Sequence, residues 1–124
     1  MPEPVYLGDL PGAPAAGTTL GFISQLPSHG GKALDYKEGT AVTQIFIQKH
    51  HKGVSAYINC CPHAGTPLNL FSDNFMNLEE THMICRTHGA LFDPVDGLCS
   101  LGPCKGRYLR QIAIHLDGDA IVAD

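Results

Sequence analysis

Two short runs, Cys61-Pro62-His63 and Cys85-Arg86-Thr87-His88, constrain this chain more than anything else in it. Each arm pairs one thiol with one imidazole, as C-x-H and C-x-x-H, and 21 residues separate them. If the four side chains act as one site, the fold must bring two distant loops together. Two sulfurs and two nitrogens suit tetrahedral zinc, and they can also divide between the two irons of a [2Fe–2S] cluster. The common zinc-finger pattern pairs like with like, two cysteines in one arm and two histidines in the other. A mixed arm instead suits a cluster whose two irons differ.

The rest of the composition leaves room for such a site and little else. With 124 residues the chain is expected to form a single domain, residues 1–124, with its cluster-binding part at about 58–106. Eight Lys and Arg against twelve Asp and Glu give a net charge of −4, which speaks against nucleic acid as a partner. No apolar run approaches the length of a membrane span, and the opening Met1-Pro2-Glu3-Pro4 lacks a basic leader. The expectation is therefore a cytoplasmic protein that does not meet a membrane. Five cysteines, an odd number, fit a disulfide framework poorly and a metal or thiol site well.

Strand signals dominate the pattern. Ala41–Gln48 is rich in β-branched and aromatic residues, and Gly53–Asn59 alternates, with 49–52 between them as a hairpin loop. His82–Cys85, Ala90–Asp93 and Leu109–His115 read as further strands, the last forming a hairpin with Ala120–Val122 across Asp117-Gly118-Asp119. Residues 11–31, dense in Pro and Gly, read as a meander, and Leu78–Met83 as loop rather than a helical turn. The class is all-β, a small antiparallel sandwich or barrel.

Here the sequence resembles the Rieske [2Fe–2S] proteins, and among them the Rieske-type ferredoxins. The resemblance spans about residues 42–122. It rests on Asn59-Cys60-Cys61-Pro62-His63-Ala64-Gly65-Thr66-Pro67-Leu68, on Cys85-Arg86-Thr87-His88-Gly89-Ala90-Leu91-Phe92, and on Gly102-Pro103-Cys104, which is similar to the family's third, covering loop. It implies that Cys61 and Cys85 ligate the buried iron and that His63 and His88 ligate the outer, reducible one. It also implies that 70–82 is a small inserted loop. Gly65 and Gly89 supply the positive φ and close approach that such loops need. Respiratory-complex members join their cluster loops by a disulfide, which the residues flanking His63 and His88 do not provide. Their serine and tyrosine hydroxyls are replaced at the matching positions by Ala90 and Phe92, so the expected potential lies toward the low end of the roughly −150 to +300 mV Rieske range.

The other thiols and imidazoles have quieter readings. Cys60 is expected to face away from the site as a packed, inert thiol. Cys99 and Cys104, five apart, admit three readings: buried small hydrophobes, a redox-labile disulfide, or a contact from Cys104 to the cluster. His50 and His51 read as solvated loop residues, Tyr57 and Phe92 as core, and Asp93–Gly97 as a turn. Leu68, Leu70 and Leu101 flank the site and belong either to a docking surface or to the core. No nucleotide fingerprint, and no nucleophile with a matched base, occurs in the chain. The functional expectation is a one-electron carrier, not itself an enzyme, that meets a reductase and a terminal oxygenase or similar acceptor transiently, as a monomer or weak oligomer. A redox-sensing or accessory module, and a zinc-stapled β domain, are the alternatives.

Overall fold

A computed structural model describes residues 2–62, 65–69 and 72–124. Its centre is β3 (Ala41–His50), which pairs antiparallel with β2 (Gly31–Glu38) on one side and β4 (Gly53–Ile58) on the other. β8 (Gln111–Ile112) pairs in turn with β4, giving the order β2-β3-β4-β8. Period-two alternation gives this sheet two apolar faces. Phe46 and its cross-strand partner Tyr57 point to one face, while Ile45, Ile47, Ala56 and Ile112 point to the other.

The two faces carry separate cores, so the sheet is a middle layer. Against the face bearing Ile45 and Ile47 packs a second sheet, β1-β10-β9, formed by β1 (Thr19–Phe22), β10 (Ala120–Ala123) and β9 (Ile114–Asp117). Leu7, Leu20, Leu26 and Ile121 are buried there. Against the face bearing Phe46 and Tyr57 pack the cysteine-bearing loops and a small sheet in the order β5-β6-β7, made of β5 (Met83–Ile84), β6 (Leu91–Phe92) and β7 (Cys99–Leu101).

The 11–31 meander is corrected. It contains β1, and a 3-10 turn (Ile23–Gln25) follows that strand. Thr19-Leu20-Gly21-Phe22 carries no clean alternation; it becomes a strand by pairing with β10, with a register shift between Thr19 and Gly21. The edge strand β2, with its charged outer positions, and the three-residue β7 also lie beyond the sequence reading. The 49–52 loop shrinks to His51 and Lys52, because β3 runs on through His50, which faces Gly53. The segment 2–10 folds onto the rest: Val5 bridges Ile112, and Leu7 is fully buried.

Candidate metal centre

Cys61 and Cys85 sit in two turns with the same hydrogen-bonded frame. The Cys61 carbonyl accepts from Gly65 N–H at 2.8 Å, and Cys61 N–H donates to the Thr66 carbonyl at 2.8 Å. In the second turn the Cys85 carbonyl accepts from Gly89 N–H at 2.8 Å, and Cys85 N–H donates to the Ala90 carbonyl at 2.9 Å. The same offsets of four and five residues recur, and each frame closes on a glycine in the left-handed region, Gly65 at φ 70° and Gly89 at φ 75°. A side chain at either position would meet no neighbour within 4 Å, so backbone conformation alone selects glycine there.

The two turns are tied to each other and to the sheet. Thr66 and Thr87 share a hydroxyl–hydroxyl hydrogen bond of 3.0 Å, and Arg86 N–H donates to the Leu68 carbonyl at 2.9 Å. All five cysteines are free thiols, so this hydroxyl pair, and not a disulfide, crosses between the loops. Asn59, buried at the end of β4, accepts from Leu68 N–H at 2.8 Å and donates to Asn69 Oδ1 at 2.9 Å, closing the base of the first loop. The described part of the 70–82 segment is likewise pinned. Phe75 stacks on Phe46 at 4.2 Å between ring centroids, Asp73 accepts from Ala33 N–H, and the Arg86 guanidinium donates to the Met76 carbonyl. No helix forms at Leu78–Met83; Met76 bridges Met83, which prolongs the small sheet.

This scaffold sets the donors apart by environment. The thiols of Cys61 and Cys85 are buried in the apolar core with Leu68, Met83 and Phe92, whereas His88 is exposed. His63, the fourth residue of the motif, and Leu70 lie outside the described residues. Among the described residues no three Cys, His, Asp or Glu side chains gather around a single point. A pair of buried soft thiols on one side, with an imidazole at the surface, fits a [2Fe–2S] group of mixed ligation in its donor chemistry.

The third loop closes the site from the side. A Cβ at Gly102 would fall 2.9 Å from Ala90 Cα, so the 101–104 turn lies directly on the second cysteine turn. Cys99 and Cys104 are both buried, with their sulfurs 3.1 Å apart. Burial, and then the hydrogen bond with Cys99, push the Cys104 thiol up to about 12.

The family comparison separates the cluster reading from the zinc reading. The match to the Rieske [2Fe–2S] domain runs over residues 20–115, most of the chain. The chain belongs to the Rieske [2Fe–2S] family. The cofactor that this domain implies is one Rieske [2Fe–2S] cluster. This Rieske chain is 22% identical to the ferredoxin of carbazole 1,9a-dioxygenase from Nocardioides aromaticivorans IC177, with a TM-score of 0.67 over 88% of this chain and 97% of that one. It is 16% identical to a ferredoxin of Sphingomonas yanoikuyae B1, with a TM-score of 0.63 over 87% and 97% of the two chains. Among curated proteins it is 27% identical over 73 residues to a cytochrome bc1 complex Rieske iron–sulfur subunit of Streptomyces lividans, which covers 59% of this chain and 40% of that protein.

Other expectations for this Rieske chain meet the structure unevenly. Leu68 is core, whereas Leu101 is 58% exposed beside the third loop. Cys60 is exposed, not packed: its N–H bonds back to the Ile58 carbonyl at 2.9 Å, so the chain turns sharply and Asn59 takes the buried position. His50 is half-buried rather than solvated, with its Nε2 2.8 Å from Ser55 Oγ. Tyr57 and Phe92 are core residues. Asn59, Thr66 and Thr87 escape the sequence reading, because loop-bracing amides and hydroxyls look like ordinary surface polarity until their partners are known.

Proposed function

We propose that this Rieske chain is a one-electron carrier whose cluster is held by Cys61 and Cys85 at the buried end and by His63 and His88 at the outer end. The observation that carries the reading is the pair of identically framed turns, which bury one cysteine each while leaving His88 at the surface. When bound, the cluster supplies reversible one-electron chemistry. The chain's own residues do the rest. The apolar core around Cys61 and Cys85 excludes water from the sulfur end, the Thr66–Thr87 and Arg86–Leu68 bonds hold the two loops at a fixed separation, and His88 offers a short route to a partner at the surface.

The acceptor we infer is a terminal oxygenase, with a reductase as donor. Support comes from the architecture shared with dioxygenase ferredoxins, one of them solved as a complex of reduced oxygenase and oxidised ferredoxin, at 14% identity and a TM-score of 0.66. Such docking would be transient and small, below about 1,200 Å² of buried surface. Low-temperature EPR of the dithionite-reduced protein tests the ligand set. A rhombic signal with average g below that of an all-cysteine [2Fe–2S] centre is expected; EPR silence with stoichiometric zinc overturns the reading.

A further inference from the structure

Cys99 and Cys104 form a thiol pair outside the proposed ligand set, packed in the same core as Cys61. Both are 1% exposed, and their sulfurs stand 3.1 Å apart, well beyond the bond of about 2.05 Å in a disulfide but in direct contact. The contacts are those of a dithiol: the Cys104 thiol donates to Cys99 Sγ, and the Cys99 thiol donates to the Leu101 carbonyl at 3.3 Å. The backbone holds both ends of the pair. Cys99 N–H bonds to the Arg107 carbonyl at 2.8 Å, the Cys99 carbonyl accepts from Gly106 N–H at 2.9 Å, and the Cys104 carbonyl accepts from Arg107 N–H at 2.9 Å.

Between the two cysteines run Ser100, Leu101, Gly102 and Pro103, all exposed. This is the turn that lies on Ala90, whose carbonyl anchors Cys85 N–H. We propose that Cys99 and Cys104 are a redox-responsive modification site, forming a reversible disulfide that locks the third loop onto the second cysteine turn. The oxidant is a low-molecular-weight disulfide such as glutathione disulfide. One protein sulfur opens it, forming a mixed disulfide and releasing one glutathione thiol; the neighbouring sulfur then displaces the second glutathione. Two protein S–H bonds are lost and one S–S bond forms, while glutathione disulfide leaves as two thiols that carry both protons. Entry requires only local opening of the four-residue turn. The bond itself is independent of the cluster assignment, whereas its effect on cluster retention rests on that reading.

The test equilibrates the holoprotein anaerobically in glutathione buffers of increasing disulfide content, followed by acid quench, alkylation and tryptic mass spectrometry. Cleavage after Arg86 and Lys105 releases residues 87–105, which hold Cys99 and Cys104 and no other cysteine; the other three fall in 53–86. The expected result is an 87–105 peptide lacking both labels and two hydrogens lighter, rising with the disulfide ratio and reversed by dithiothreitol. A peptide that keeps two labels at every ratio, or that accumulates only as a glutathione adduct, overturns the proposal. A parallel chelator challenge, followed by visible absorbance, reads the lock: cluster loss at least two-fold slower in the oxidised protein is expected. An unchanged rate with the disulfide formed overturns the locking role. A protein that never holds a cluster refutes the electron-carrier reading and leaves the peptide result standing.

Discussion

At the scale of single residues, the two framing glycines do the same work in each cysteine turn, and their substitution should cost alike. Gly89 at φ 75° has open space where a Cβ would go, so Gly89→Ala adds only the left-handed backbone penalty of about 1 kcal/mol, read as a lower urea midpoint. Gly102→Ala should cost more, because its Cβ would strike the backbone of Ala90 at 2.9 Å. Equal midpoints for the two variants would contradict this ranking. For the proposed ligands, Cys61→Ser or Cys85→Ser is expected to yield colourless, destabilised protein by visible absorbance and iron assay, since cluster binding contributes folding free energy. The two cysteine turns and the positive φ of Gly65 and Gly89 were legible from the paired motifs and the family they resemble. Asn59, Thr66 and Thr87 were not, because hydrogen bonds between residues 9, 10 and 21 apart leave no local pattern.

At the scale of elements, a relay fixes the β3–β4 hairpin to the turn after β6. Lys52 N–H donates to His50 Nδ1 at 3.1 Å, which leaves Nε2 as the donor to Ser55 Oγ at 2.8 Å; the Ser55 hydroxyl then donates to the Val95 carbonyl at 3.0 Å. This chain accepts only neutral imidazole. Burial, and then the nearby His51, lower the pKa of His50 from its ordinary 6.5; Lys52 adds to that, and Asp93 partly opposes it. The unfolded chain therefore takes up this proton before the folded one. The stability gained is complete above about pH 6.5 and is lost as pH falls through the depressed folded value. Urea midpoints at pH 7.5 and 5.5 should diverge more for the native sequence than for His50→Gln; parallel slopes would remove His50 from the account. Strands with alternating β-branched residues, β3 and β4 above all, were readable in advance. β1, β2 and β7 were not, since an edge or a three-residue strand owes its existence to the neighbour it pairs with.

At the scale of the whole molecule, the site's polarity sets an electrochemical expectation. Ala90 and Phe92 are buried and carry no hydroxyl, so a cluster held as proposed would lack the side-chain hydroxyl bonds that the resemblance associates with a raised potential. Protein-film voltammetry should place the midpoint in the lower half of the roughly −150 to +300 mV range, and a value in the upper half would refute the inference. The three-layer order has a further consequence. Because β3 and β4 carry a separate apolar load on each face, the two cores need not melt together. Emptying the centre would remove the support of the core holding Cys61 and Cys85, yet leave Ile45, Ile47 and Ile121 covered on the opposite side. In deuterated solvent the cluster-free chain should then behave as two bodies sharing a wall: amides of β5, β6 and β7 take up the isotope early, while those of β9 and β10 hold their protons.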